Sequence, residues 1–230
     1  MGNFNYFIDI LALLIYIIIL EVLYMNYNQL KTALSSTYRN NNTAEKDLKG
    51  KGFTLDKELS GKRAKVFVDD KTGQAYVAHR GTNSIQDVFT DAGLLLGIKD
   101  GKRLRHAKQV KKQAEEKYGN VNSIGHSLGG YLAENSGNKD GKVITYNKAS
   151  IGGFKKNPNQ IDIRTQRDFV SLLTPKTDIV IPSRSVNPLI EHSTNALNRK
   201  GDKVIFAWKF INDWLYYYKF FLRITTLKKY

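Results

Sequence analysis

Ser127 lies in "VNSIGHSLGGYLAENSG", where a β-branched run meets Gly125, His126, Ser127, Leu128, Gly129 and Gly130 and then helix-forming residues. A G-x-S-x-G between a strand and a helix has a mechanical meaning. The chain reverses sharply at the serine, Gly125 and Gly129 let strand and helix approach, and the hydroxyl is left exposed above the sheet edge. The helix start supplies unpaired backbone N–H groups and the positive end of a dipole. In that setting Ser127 reads as a nucleophile and the Leu128 amide as one donor to an oxyanion. The bland alternative is a serine capping a helix in a glycine-rich loop.

A serine hydroxyl needs a base, and the base needs an orienting carboxylate. Of the four histidines, His126 lies inside the turn, His79 in a strand ahead of the serine and His106 at the start of a long helix. His192, in "NPLIEHSTNAL", follows the serine, as the order Ser, acid, His requires. For the acid, Asp178 in "LLTPKTDIVIP" reads as lying just past a strand over 168–175, where a loop carries it to the carboxyl edge of the sheet. Asp168 would begin that strand and face the opposite edge. The expected set is Ser127, Asp178 and His192. The chain has no cysteine, hence no disulfide framework, thiolate metal site or cysteine nucleophile. Acyl transfer by such a set calls for no metal or organic cofactor.

These residues need a sheet and helices to hold them. "AKVFVDD" (64–70) and "QAYVAHRG" (74–81) are strand-like around a turn at Lys71-Thr72-Gly73. "KRLRHAKQVKKQAEEKYG" (102–119) is a strong helix former ending at a glycine. "VNSIG", a helix from Leu128, "KVITYNKAS" (142–150) and "DFVSLLTP" (168–175) continue the alternation. Strands alternating with helices predict an α/β fold with a mostly parallel central sheet flanked by helices.

On these residues the chain resembles the lipase class 3 family of the α/β-hydrolases, the fungal triacylglycerol lipase type, over about 64 to 196. "GHSLGG" is similar to that family's nucleophile elbow, "VAHRGTNSIQDVFTDA" to its strand ending in Arg-Gly-Thr before a helical lid, and "RHAK" to the segment opening the helix before the elbow. "VITYNKASIG" resembles the strand after the nucleophile helix, and "TPKTDIVIP" the strand-end Asp followed by a proline. The resemblance implies Ser127 as nucleophile, Asp178 as orienting acid, His192 as base, Thr82 as the second oxyanion residue and 83–92 as lid. Ile85, Val88 and Phe89 recur at helical spacing, giving an apolar face able to cover a site or to rest on lipid. An ordinary surface helix is the alternative.

The ends differ from the middle. "FNYFIDILALLIYIIILEVLY" (4–24) holds an uninterrupted apolar core over 10–20, too short alone to cross a slab of roughly 30 Å. With Asp9 and Glu21 toward its ends it reaches about a full span, and it reads as an N-terminal hydrophobic helix and membrane anchor. A buried or hairpin-like segment and a cleaved signal are the other readings. By the positive-inside rule Lys31, the first basic residue, would keep the rest on the cytoplasmic side, a weak indicator that leaves the side open. The expected organisation is this segment over 1–30, a polar linker over 31–52, a hydrolase domain over 53–202 and an aromatic, basic helix over 203–230.

Net charge is +15, and residues 1–30 contain no Lys or Arg, which leaves a body of +17 (all 36 bases against 19 of the 21 acids). Such a surface attracts anionic lipid or nucleic acid. No zinc finger, RNP motif or basic zipper is present, so the expected partners are a lipid ester substrate and an anionic membrane surface, with no specific nucleic acid. Oligomeric state is not readable. The expected function is ester hydrolysis of glycerolipids, triacylglycerol or phospholipid, at a membrane. The rival readings are a non-catalytic membrane-associated interaction module on the same fold, and a small-substrate esterase or acyltransferase.

Overall fold

A computed structural model describes residues 25–82, 101–137, 140–149, 157–171 and 177–197. The chain divides into two compact units, Met1–Tyr27 with Lys200–Tyr230, and Asn28–Arg199. Of the first unit only residues 25–27 are described, and the sheet lies in the second. The expected N-terminal and C-terminal helices lie outside the described residues, as does the expected lid with Ile85, Val88 and Phe89. Among the described residues no helix is long and apolar enough to cross a membrane.

Among the described residues seven strands form one sheet whose spatial order repeats the chain order: β1 (Phe53–Asp56), β2 (Ala64–Asp69), β3 (Ala75–His79), β4 (Val121–His126), β5 (Val143–Tyr146), β6 (Gln160–Thr165) and β7 (Ile179–Ile181). β2 runs antiparallel to β1 and β3; from β3 onward every pair is parallel. The architecture is α/β. In chain order its first helices are α1 (Tyr27–Ser36), α2 (Asn41–Lys49) and α3 (Gly101–Tyr118). Along β2 and β3 the period of two sends side chains to two buried faces. Ala64, Val66, Ala75 and Val77 pack with Val110 and Ala114 of α3. On the other face Phe67 stacks on Tyr76 at 5.5 Å and meets Phe53 edge-on at 5.1 Å.

Two stretches depart from the sequence expectation. The polar linker over 31–52 is instead folded into the two helices α1 and α2. Their buried apolar residues are few, Tyr27, Leu30, Ala33 and Leu34, then Ala44 and Leu48, but each set is spaced to share a helix face. Composition concealed that period. Asn40 starts α2 by accepting the Thr43 N–H at 2.9 Å.

The strand expected over 168–175 is absent from its described residues, and β6 stands at 160–165 instead. Its sequence, "QIDIRT", looks like loop because it carries a buried polar face. Asp162 accepts from Thr145 Oγ1 (2.6 Å), Gln160 Nε2 (2.7 Å) and Lys148 Nζ (3.3 Å), and Lys148 pairs with Glu134 at 3.1 Å. A buried charge is tolerated where such partners surround it.

Candidate active site

The parallel register brings the carboxyl ends of β3, β4, β5 and β6 to one edge: His79 pairs with Gly125, His126 with Tyr146, and Tyr146 with Ile163. Ligand sites of such sheets lie at that edge. There β4 turns into α4 (Leu128–Asn135) through Ser127, whose φ of 56° and ψ of −126° are unusual for a residue with a side chain. The turn leaves no room for side chains at its glycines. A Cβ on Gly125 would fall 2.0 Å from Gly129 O, and one on Gly129 would fall 2.1 Å from His79 O. On Gly130 it would press on Lys148 at 3.0 Å. The turn is tied to β5, with Ser127 N donating to Tyr146 O (3.1 Å) and Ala149 N to Ser127 O (3.1 Å).

His192 ends the short helix α5 (Pro188–His192), started by an Asn187 cap and Pro188. It is fully buried, and its Nδ1 lies 2.7 Å from Asp168 Oδ1. Among the described residues it is the one histidine paired with a carboxylate. Asp168 is itself fully buried and takes two further donors on Oδ2, the backbone N–H of Ser171 (2.9 Å) and the Ser171 hydroxyl. Nδ1–H therefore donates to the carboxylate, a contact that favours the tautomer in which Nε2 is the acceptor. Nε2 of His192 and Oγ of Ser127 are both buried, and neither has a hydrogen-bond partner among the described residues.

Asp178 is placed elsewhere. It precedes β7 rather than following a strand, and so stands at the amino edge. Its Oδ2 accepts the Asp162 N–H at 2.9 Å while its own N–H donates to Asp162 O at 3.0 Å. That exchange closes the β6–β7 pairing. The expected partner of His192 is thus corrected from Asp178 to Asp168. The cause is the misplaced strand: once β6 ends at Thr165, Asp168 sits three residues past a carboxyl end.

Other residues that sequence reasoning passed over hold the histidine. Asn147, at a φ of 43° just after β5, donates to Glu191 O (2.8 Å) and His192 O (3.2 Å). Thr165 Oγ1 also donates to Glu191 O at 2.7 Å. Glu191, buried, accepts the N–H groups of Arg184 (2.9 Å) and Ser185 (2.6 Å), which shapes the loop before α5.

His126 joins the two halves of the site. Its Nε2–H donates to His192 O at 2.7 Å, its Nδ1 faces the Tyr38 hydroxyl at 3.3 Å, and its ring stacks on Tyr146 at 5.7 Å. Gly81 lies against the turn: a Cβ there would come 2.7 Å from His126 O and 3.4 Å from Ser127 Cβ. Thr82, half-buried, follows directly, and Leu128 opens α4.

His79 and His126 are fully buried, and burial pushes both down to about 3 from the usual 6.5, with nearby cations (Lys111, His106) adding to it at His79 and His192 at His126. In the unfolded chain both protonate below about pH 6.5; in the folded chain both stay neutral to about pH 3. Their contribution is therefore intact above pH 6.5 and is lost as pH falls from there toward 3. Each histidine removes at most about 1.4 kcal/mol per pH unit. Urea unfolding between about pH 7.5 and 4.5 should show this slope, and His79→Met should lower it by one proton's worth.

No curated protein matches the chain. Residues 23–157, from before α1 through the elbow, β5 and beyond, match the phospholipase-like family described as the Tle-like phospholipase domain. This is a phospholipase/lipase-type family but not lipase class 3 itself, and it points to a lipid-hydrolysing enzyme, broadly an ester hydrolase. With more than half of its 230 residues matched, the chain belongs to the Tle-like phospholipase domain family.

Proposed function

We propose that this protein is a serine hydrolase that cleaves carboxylic esters of phospholipids at a membrane surface. The observation that carries this is the buried Asp168–His192 hydrogen bond, together with a His192 Nε2 and a Ser127 Oγ that have no hydrogen-bond partner among the described residues, the serine standing on a turn of positive φ. Family membership supports the lipid class of the ester.

In the reaction His192 Nε2 takes the Ser127 proton as Oγ attacks the ester carbonyl. The Leu128 N–H at the start of α4 stabilises the tetrahedral oxyanion. Thr82, whose role follows from the resemblance to lipase class 3, supplies the second donor from the loop after β3. The alcohol half leaves with the proton from His192. Water then gives a proton to the same nitrogen, its oxygen attacks the acyl-enzyme, and fatty acid departs as Ser127 recovers its hydrogen. Asp168 holds Nδ1–H throughout and offsets the imidazolium charge. The +17 body favours an anionic interface.

The test uses the full chain and Ser127→Ala on vesicles of neutral phospholipid, vesicles with added anionic phospholipid, and a triacylglycerol emulsion, following released fatty acid by mass spectrometry. We expect release from phospholipid, faster with anionic vesicles, and fluorophosphonate labelling that Ser127→Ala abolishes. Labelling that survives Ser127→Ala removes the nucleophile. Turnover confined to dispersed small esters removes the membrane part.

A further inference from the structure

Two side chains outside the glycine motif grip the loop that follows β3. Arg103, in the first turn of α3, donates through Nη2 to Arg80 O at 3.0 Å and to Gly81 O at 3.2 Å. Tyr38, between α1 and α2, meets the same glycine from elsewhere. A Cβ on Gly81 would fall 2.6 Å from the Tyr38 hydroxyl, and that hydroxyl in turn reaches His126 Nδ1 at 3.3 Å. The Arg80 guanidinium lies over the Tyr38 ring, 5.3 Å from its centroid. Gly81 has no freedom to move toward the elbow either, because the elbow already fills the space a Cβ would occupy.

Geometry then reaches one residue further. The carbonyl of Gly81 and the N–H of Thr82 belong to one peptide unit, planar and trans, so they point in opposite directions. Whatever fixes the carbonyl fixes the N–H. Resting on the hydrolase reading above, we infer that Arg103 and Tyr38 are positioning residues that aim the Thr82 N–H at the oxyanion, Arg103 by holding the Gly81 carbonyl and Tyr38 by holding its other side. Neither touches the reacting atoms. A donor already oriented before the charge develops costs no reorganisation when it does, which is the source of its effect.

The experiment measures kcat, KM and the affinity of a boronic acid that forms a tetrahedral adduct on the serine, for the wild type, Arg103→Met, Arg103→Lys and Tyr38→Phe. Losing an oxyanion donor outright costs about a hundred- to a thousand-fold, so a mis-aimed one should cost less. Arg103→Met is expected to lower kcat about thirty-fold with KM within twofold, and to weaken the boronate by a similar factor, as transition-state complementarity requires. Arg103→Lys, still able to reach one carbonyl, should recover most of that loss. Tyr38→Phe, which keeps the ring under Arg80, should lower kcat about five-fold and serves if Arg103→Met does not fold. The inference is overturned if Arg103→Met or Tyr38→Phe turns over within twofold of wild type. It is equally overturned if kcat falls while boronate affinity does not, because a merely structural defect would behave that way. Ser127→Ala, run alongside, separates the two levels: an active Ser127→Ala sinks the hydrolase reading, whereas a dead Ser127→Ala beside an unaffected Arg103→Met sinks only this inference.

Discussion

Ser127→Ala and His192→Ala are each expected to lower kcat about a million-fold, and the double variant to fall no further. In the proposed mechanism nucleophile and base act as a unit, so removing either leaves the other with nothing to do. What survives is the rate from oxyanion donors and binding, about a thousand- to ten-thousand-fold above water. Single-turnover ester hydrolysis measures it. The structure makes Ser127→Ala a clean substitution, because the hydroxyl it deletes has no hydrogen bond to lose among the described residues. Its unfolding midpoint should therefore stay at the wild-type value. A double variant a further thousand-fold slower would show the two residues working independently, contrary to the mechanism.

Asp168→Asn should lower kcat about ten-thousand-fold, while Asp178→Asn should leave it within about threefold. The reason lies in the fixed donor at Ser171. Its backbone N–H points at Asp168 Oδ2, so the carboxamide introduced by the first substitution must turn its oxygen there and its NH2 toward His192. Nδ1 then has to accept, the ring proton moves to Nε2, and the nitrogen meant to receive the serine proton already carries one. Loss of this order is what a wrong tautomer produces. The second substitution keeps an oxygen for the Asp162 N–H, so the β6–β7 contact survives. The opposite outcome, a dead Asp178→Asn beside an active Asp168→Asn, would return the orienting role to Asp178.

The strand, turn and helix around Ser127 were readable because local signals agreed there: a β run, glycines at the two positions where backbones nearly touch, and a helix-forming tail. The α3 helix was readable for the same reason. Asp168 was hidden by a more distant fact. The apolar "FVSLL" looks more like a strand than "QIDIRT" does, and only the partners of Asp162, contributed by β5, Gln160 and Lys148, make a polar strand worth burying. Two of those three partners come from β5 and the turn after it, 17 and 14 residues away in the chain and so outside any local pattern. With the strand at 160–165 and not at 168–175, Asp168 falls just past its carboxyl end. Tyr38 and Arg103 were hidden differently, because each meets Gly81 from a distant part of the chain, and a sequence carries no mark of which backbone a remote side chain will reach. Leu30, Leu34 and Leu48 show the same limit on a smaller scale: sparse apolar positions in a polar stretch spell helices only when their spacing is counted.

A sheet whose neighbours in space are also neighbours in the chain can be assembled as it is synthesised. Each emerging segment finds its partner already waiting at the growing rim, and no gap must be held open for a later arrival. The nucleophile would be in place midway, the carboxylate after two more additions, and the imidazole last, from beyond the final strand. In the proposed mechanism, an intermediate that still lacks α5 would therefore hold the sheet while missing the imidazole that the reaction needs.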